Sequence, residues 1–582
     1  MKLMRSLWVL GAVAVAGAGA FPAAGPDTTA DSPELEGRDI LSTTVDTPAG
    51  TIVGARLLGV DSFRGIPYAE SPAGKQRLKP PKRLQTKLDN FDAKGIAPSC
   101  PQMLLSSSSD DIISKIGSFA LQLPLFKPLT DPIQGQEDCL SVTVQRPSDA
   151  KEGDDLPVLY WMYGGAFELG STNVYDAASM LRQASRQGQP FIFVAVNYRV
   201  AGWGFLPGAE VLADGSANLG LLDQRMGLEW VADNIASFGG DPTKVTIWGE
   251  SAGSISVFDQ MALYGGDVSY KGKPLFRGAI MNSGSIIPAE PVDGPKGQAV
   301  YDTVVEAAGC SGADDTLECL RDVDYDTLMD AINTLPAFIG YSSVALSFLP
   351  RPDGRVLPDS PDVLASSGRY HAVPMIIGDQ EDEGTILSLF QSNTTKTDED
   401  IVDYLSTNYF HGASDETLTA LVSSYEDTKA MGSPFRTGIL NELYPGFKRL
   451  AAILGDLVFT LTRRYFLDLA TSANPETPAW SYLASYYHNT PVIGTCHASD
   501  IAQFFFNAIP DPAGMAHRTY YYNFINNLDP NVGNDDHPHW PQWSENRELL
   551  WFENLVKVGY LDDDFREDSA RIISENAAEL HI

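Results

Sequence analysis

Positive charge is scarce in this chain: 41 Lys and Arg stand against 75 Asp and Glu in 582 residues, a formal net charge of -34 at pH 7. Nucleic-acid binding depends on cationic side chains that neutralise phosphates, and an anionic membrane surface repels the same excess of carboxylates. Neither partner fits. Beyond the first twenty residues there is no apolar run long enough to span a bilayer, and the C-terminal Ala577 to Ile582 carries neither a retention signal nor a lipid-anchor tail. Histidine is rare, at 8 residues, and cysteine rarer, at 5. No paired cysteines at zinc spacing and no HExxH occur, so no metal is expected, and His537 and His539 read as a polar loop before Trp540.

What is present is the composition of a globular protein with a large core, 43% apolar and 10% aromatic. Lys2 and Arg5, the apolar run Leu7 to Ala18 and the small-x-small site Ala18-Gly19-Ala20 predict a secretory signal peptide over 1–20. Export to the extracellular space is therefore expected. Cys100, Cys139, Cys310, Cys319 and Cys496 suit two disulfides and one free thiol in an oxidising compartment, with the pairing left open by spacing. Asn393-Thr394-Thr395 is an acceptor for N-glycosylation.

Apolar, β-rich runs recur at Val158 to Met162, Phe191 to Asn197, Val245 to Trp248, Ala279 to Met281, Val373 to Ile377 and Trp480 to Leu483, separated by helical stretches. Continuous apolar strands spaced by helices predict an α/β fold whose parallel sheet is covered on both faces. No linker, charge block or repeat divides the chain, so 21–582 reads as one catalytic domain. Between Cys100 and Cys139, Ile112, Ile113, Ile116, Phe119, Ala120 and Leu123 fall at helical spacing. That segment is either a docked surface helix or a mobile lid.

Chemistry concentrates in a few places. Gly249-Glu250-Ser251-Ala252-Gly253 follows the strand ending at Trp248 and precedes a helical run, the context in which two glycines allow a sharp turn that lifts a serine hydroxyl above a sheet. A serine needs a base. In the order nucleophile, acid, base, His497 stands soon after a predicted strand, and His411, His488, His517, His537, His539 and His581 compete on order alone. Asp379, Glu381, Asp382 and Glu383 all follow the run Val373 to Ile377, and position does not choose among them. Tyr163-Gly164-Gly165-Ala166-Phe167 supplies small residues where backbone N–H groups could hold an oxyanion.

Together these residues resemble the type-B carboxylesterase/lipase family, the cholinesterase-like α/β-hydrolases. Further ordered matches are Phe63-Arg64-Gly65-Ile66-Pro67-Tyr68-Ala69, Glu137-Asp138-Cys139-Leu140, Val196-Asn197-Tyr198-Arg199, Asn218 to Gln224 and Phe238-Gly239-Gly240-Asp241-Pro242. The segment after Cys100 and the run Gly378 to Gly384 look most like the fungal lipase and sterol esterase branch. The resemblance implies an α/β-hydrolase fold with a disulfide-closed lid, Ser251 as nucleophile, Glu383 as acid, His497 as base, and the N–H groups of Gly165, Ala166 and Ala252 as oxyanion donors. It also implies disulfides Cys100–Cys139 and Cys310–Cys319 and a reaction without cofactor. Ala166 departs from the family, which usually has a third glycine there, and the hole is expected to persist unless that position needs positive φ. The expected substrates are bulky apolar esters such as acylglycerols or steryl esters; short soluble esters, or non-catalytic partner binding as in some cholinesterase-like domains, are the rival readings. An opening lid would expose an apolar face able to meet a lipid interface or a second copy of the chain.

Overall fold

The computed structural model describes residues 41–103, 135–392, 395–506, 511–533 and 536–582. The expected signal peptide, the amphipathic candidate lid and Asn393 lie outside the described residues. Twelve strands follow one another through a sheet in the spatial order Leu41–Thr47, Gly50–Leu57, Val60–Pro67, Ser141–Pro147, Ile192–Val196, Leu156–Met162, Gly240–Glu250, Gly278–Asn282, Met375–Gln380, Ala479–Ala484, Glu548–Phe552 and Val558–Asp562, and Leu88–Asp92 pairs with Gly50–Leu57 as the thirteenth. The run from Ile192–Val196 to Glu548–Phe552 is parallel throughout. The strands flanking it on both sides pair antiparallel.

Every residue of Ile192–Val196, Gly278–Asn282, Met375–Gln380 and Ala479–Ala484 is buried. Successive strand side chains point to opposite faces, so both faces of this central sheet are covered, as the continuous apolar runs predicted. The first strands differ. Leu41–Thr47 and Gly50–Leu57 are largely half-exposed, which suits antiparallel pairs with one wet face.

Two disulfides form, Cys100–Cys139 and Cys310–Cys319, and Cys496 is a buried free thiol. The pairing is the one the resemblance implied. Among the described residues no helix is long and apolar enough to cross a membrane. Loops that leave the C-terminal ends of adjacent parallel strands gather at one edge of the sheet, where α/β folds place their ligand crevices.

Candidate active site

Ser251 is the hinge between the strand Gly240–Glu250 and the helix Ala252–Ala262. Its backbone sits at φ 56°, ψ -127°, a conformation that a side-chain-bearing residue adopts at a cost of order 1–3 kcal/mol. The two glycines of the turn make it feasible by what they lack. A Cβ on Gly249 would lie 2.1 Å from the carbonyl oxygen of Gly253, and one on Gly253 would lie 2.1 Å from that of Met162. The strain is held in place by a hydrogen bond from the Ser251 N–H to the Asn282 carbonyl at 3.0 Å.

His497 follows the strand Ala479–Ala484 and lies 8% exposed in the wall of the same cavity as Ser251. Its Nδ1 meets Glu383 Oε2 at 2.5 Å, and its ring lies tilted against Phe459 with centroids 4.5 Å apart. Burial opposes the imidazolium, but the charge and hydrogen bond of Glu383, with Glu250 and Asp500 behind them, outweigh it and raise His497 to about 9. Glu383 is itself anchored, because its Oε1 accepts the Gln380 N–H at 2.7 Å.

Partners separate the four acids that position alone left equivalent. Asp379 binds Arg463 at 2.8 Å. Glu381 takes both arms of Arg436 at 2.6 Å. Asp382 accepts from Ser433 Oγ, Phe435 N and Thr495 N. Glu383 alone of the four reaches the histidine. Glu381, Asp382 and His488 also lie within reach of one another, but both carboxylates are occupied by protein donors.

Of the eight histidines, all among the described residues, His497 is the one that lines the cavity. His411 bonds to the Thr407 carbonyl, His581 faces Asp362, and His517 is enclosed by Tyr482, Tyr486, Phe504, Tyr521 and Phe552.

The three residues whose N–H groups are expected to hold an oxyanion line one cavity with Ser251. Ala252 is the first residue of its helix, where the N–H has no intrahelical acceptor and the helix dipole favours negative charge. Gly165 and Ala166 follow the strand Leu156–Met162, line the cavity, and donate to no other described residue. Gly165 has φ 112° and Ala166 φ 57°. Position 166 therefore does require positive φ, the condition on which the alanine was expected to matter. The alanine keeps its N–H in the left-handed region at a cost of about 1 kcal/mol relative to glycine.

Sequence reasoning did not single out Glu250 and Asp500, both of which act electrostatically on His497. Glu250 is buried next to Ser251 in the chain with Oε1 3.4 Å from His497 Nε2, and burial pushes its carboxyl up to about 8. Asp500 accepts a 2.6 Å hydrogen bond from Asn282 Nδ2. Cys496, next to His497, is a buried thiol that burial pushes up to about 12.

The carboxylesterase family pattern matches residues 41–560. The chain is 60% identical to a secreted triacylglycerol lipase of Gibberella zeae over 94% of its own length and 92% of that protein, and 54% identical to secreted lipase 1 of Botryotinia fuckeliana over 93% of each. Lipase 5 of Diutina rugosa is 42% identical over 90% of this chain and 94% of its own. Among solved structures, EstA of Aspergillus niger superposes with a TM-score of 0.76 at 25% identity, covering 93% of this chain and 99% of that one. An α/β-hydrolase sheet, motifs along its whole length and these relatives agree: the chain belongs to the carboxylesterase family and is a carboxylic ester hydrolase.

Proposed function

We propose that this is an exported lipase that cleaves esters of long apolar acyl groups, acylglycerols above all, through an acyl-enzyme on Ser251. The observation that carries it is the cavity above the nucleophile, whose walls beyond Ser251 and His497 are mostly hydrocarbon: Ile255, Ile287, Phe338, Leu346, Leu349 and Val458 among them. Such a wall excludes water and accommodates an acyl chain by its area. Relatives named as secreted lipases, and the signal-like first twenty residues, support export.

In this reading His497 Nε2 takes the proton as Ser251 Oγ attacks the ester carbonyl. Glu383 fixes the Nδ1–H tautomer and stabilises the imidazolium, and the N–H groups of Gly165, Ala166 and Ala252 hold the oxyanion. The C–O bond to the alcohol breaks as His497 returns the proton to the leaving oxygen. Water, deprotonated by the same imidazole, then attacks the acyl-enzyme and releases the acid and the free serine.

Turnover of p-nitrophenyl esters from acetate to palmitate, of trioleoylglycerol and of a cholesteryl ester tests the proposal. Ser251→Ala should abolish all of it, and wild-type kcat/KM should rise with chain length. A wild-type preference for acetate over long chains would overturn the lipase reading, and retained turnover in Ser251→Ala would overturn the nucleophile.

A further inference from the structure

One polar group interrupts the apolar wall far from the reacting atoms. Asp259 lines the cavity together with Ala252 and Ile255, three residues spaced on one face of the helix Ala252–Ala262 that begins at the nucleophile. It is fully buried, and neither carboxyl oxygen has a hydrogen-bond partner among the described residues. Buried polar groups are nearly always paired, and a fully orphaned carboxyl needs an explanation. No charged group offsets its burial, which pushes the acid well above the ordinary carboxylate range. Burial thus favours its protonated form, which presents both an O–H donor and an acceptor into a hydrocarbon-lined space.

Its place along the cavity follows from the helix. Asp259 stands eight positions beyond Ser251, about 12 Å at the helical rise, which for an extended acyl chain running from the serine alongside this helix sets the carboxyl abreast of roughly the eighth to twelfth carbon. A plain methylene chain passing there leaves the acid unpaired. A hydroxyl at that depth pairs with it.

We propose that Asp259 is a specificity-determining residue that hydrogen-bonds a hydroxyl carried in the middle of a long acyl chain, so that mid-chain hydroxylated acyl esters are favoured substrates. The inference rests on the reading above, that the cavity receives the acyl group of an ester attacked by Ser251.

The test compares kcat/KM for p-nitrophenyl stearate, 10-hydroxystearate and 17-hydroxystearate. Pairing a buried polar group that is otherwise orphaned predicts a preference of about tenfold or more for the 10-hydroxy ester over stearate. The 17-hydroxy ester, whose hydroxyl lies beyond the acid, should show none. In Asp259→Leu the tenfold ratio should collapse towards one, and Asp259→Asn, which keeps a donor and an acceptor, should retain part of it. Equal rates on the three esters, an equal gain from the 17-hydroxyl, or an unchanged ratio in Asp259→Leu would overturn the inference. If the leucine variant does not fold, the positional series in the wild type and the asparagine variant still decide. A wild-type protein inert on all three esters would overturn the lipase reading and this inference with it; turnover of all three with no positional preference overturns this inference alone.

Discussion

Replacing Glu383 by glutamine exchanges one oxygen for an NH₂ and should disable the site in a way that can be told from unfolding. The carboxylate serves two donors, the Gln380 N–H at 2.7 Å and His497 Nδ1 at 2.5 Å. An amide has one acceptor oxygen. If the new amide turns that oxygen to Gln380, its NH₂ faces the ring and forces the Nε2–H tautomer, which cannot take a proton from serine; if it turns the oxygen to the ring, the buried Gln380 N–H is orphaned. The lost charge adds to this. His497 is raised from the ordinary 6.5 to about 9, roughly 3 kcal/mol in favour of the imidazolium, and Glu383 is the largest of the influences that raise it. The imidazolium exists in the transition state, so kcat should fall by a factor on the order of 10² to 10³. The pH profile moves the other way. In the wild type the acidic limb of kcat/KM follows a base held above 6.5, and activity is lost as pH falls through that raised value; with Glu383 neutralised, burial is opposed only by the weaker neighbours and the limb shifts to lower pH. Steady-state kinetics on a soluble p-nitrophenyl ester from pH 5 to 10 reads both effects. A rate within tenfold of wild type, or a limb that does not move, would refute the assignment of Glu383 as the acid.

Other perturbations give separate readouts. Ala166→Gly should keep kcat within about fivefold, because the N–H donor remains, while thermal stability changes by no more than about 1 kcal/mol as relief at φ 57° is set against backbone entropy; a hundredfold loss of kcat would mean that the methyl group itself shapes the site. Cys100→Ser with Cys139→Ser opens a loop with a sequence separation of 39 and should lower unfolding free energy by about 4 kcal/mol, measured by urea titration. Asp563→Asn removes the acid shared by Arg463 and Arg464 in a fully buried network and should destabilise by about 3–5 kcal/mol at pH 7. Burial alone would raise the Asp563 pKa, but the two arginines overcome it and depress it. Its contribution is thus present above the unfolded carboxylate value of about 3.9 and lost as pH falls through the depressed native value, so the variant should lose part of the acid sensitivity that the wild type shows below about pH 4.

How far the site was legible follows the distance over which each feature is determined. The nucleophile turn could be read locally because its glycines contact one another and Met162 through backbone atoms, leaving no substitute for the motif. The parallel strands were legible because burial on both faces demands uninterrupted apolar runs. The first hairpins were not read as strands: Leu41–Thr47 is half-wet and Thr-rich, so no apolar run marks it. The choice among the four neighbouring carboxylates was beyond local reading. Asp379, Glu381, Asp382 and Glu383 sit together, and what separates them comes from Arg463, Arg436, Thr495 and His497, whose proximity only the folded chain decides. The burial of Asp259 was hidden for the same reason, since Pro361 and Ile582, which share its cavity, are distant in sequence.

The excess of acid that first set the class of partners also raises the question of how three carboxylates are accommodated in the buried surroundings of one imidazole. Glu250, Glu383 and Asp500 all act on His497, and three ionised carboxylates around one imidazole in a dry site would repel one another. Hydrogen bonding selects among them. Glu250 Oε1 has no donor among the described residues, and burial raises that acid to about 8; Asp500 has Asn282 and its neighbour's N–H, and burial still lifts it to about 6. Glu383 receives both the Gln380 N–H and the ring, one donor on each oxygen. Hydrogen bonds thus hold Glu383 on the Nδ1 side of the ring, while on the Nε2 side, where the serine proton must arrive, burial disfavours the ionised form of Glu250.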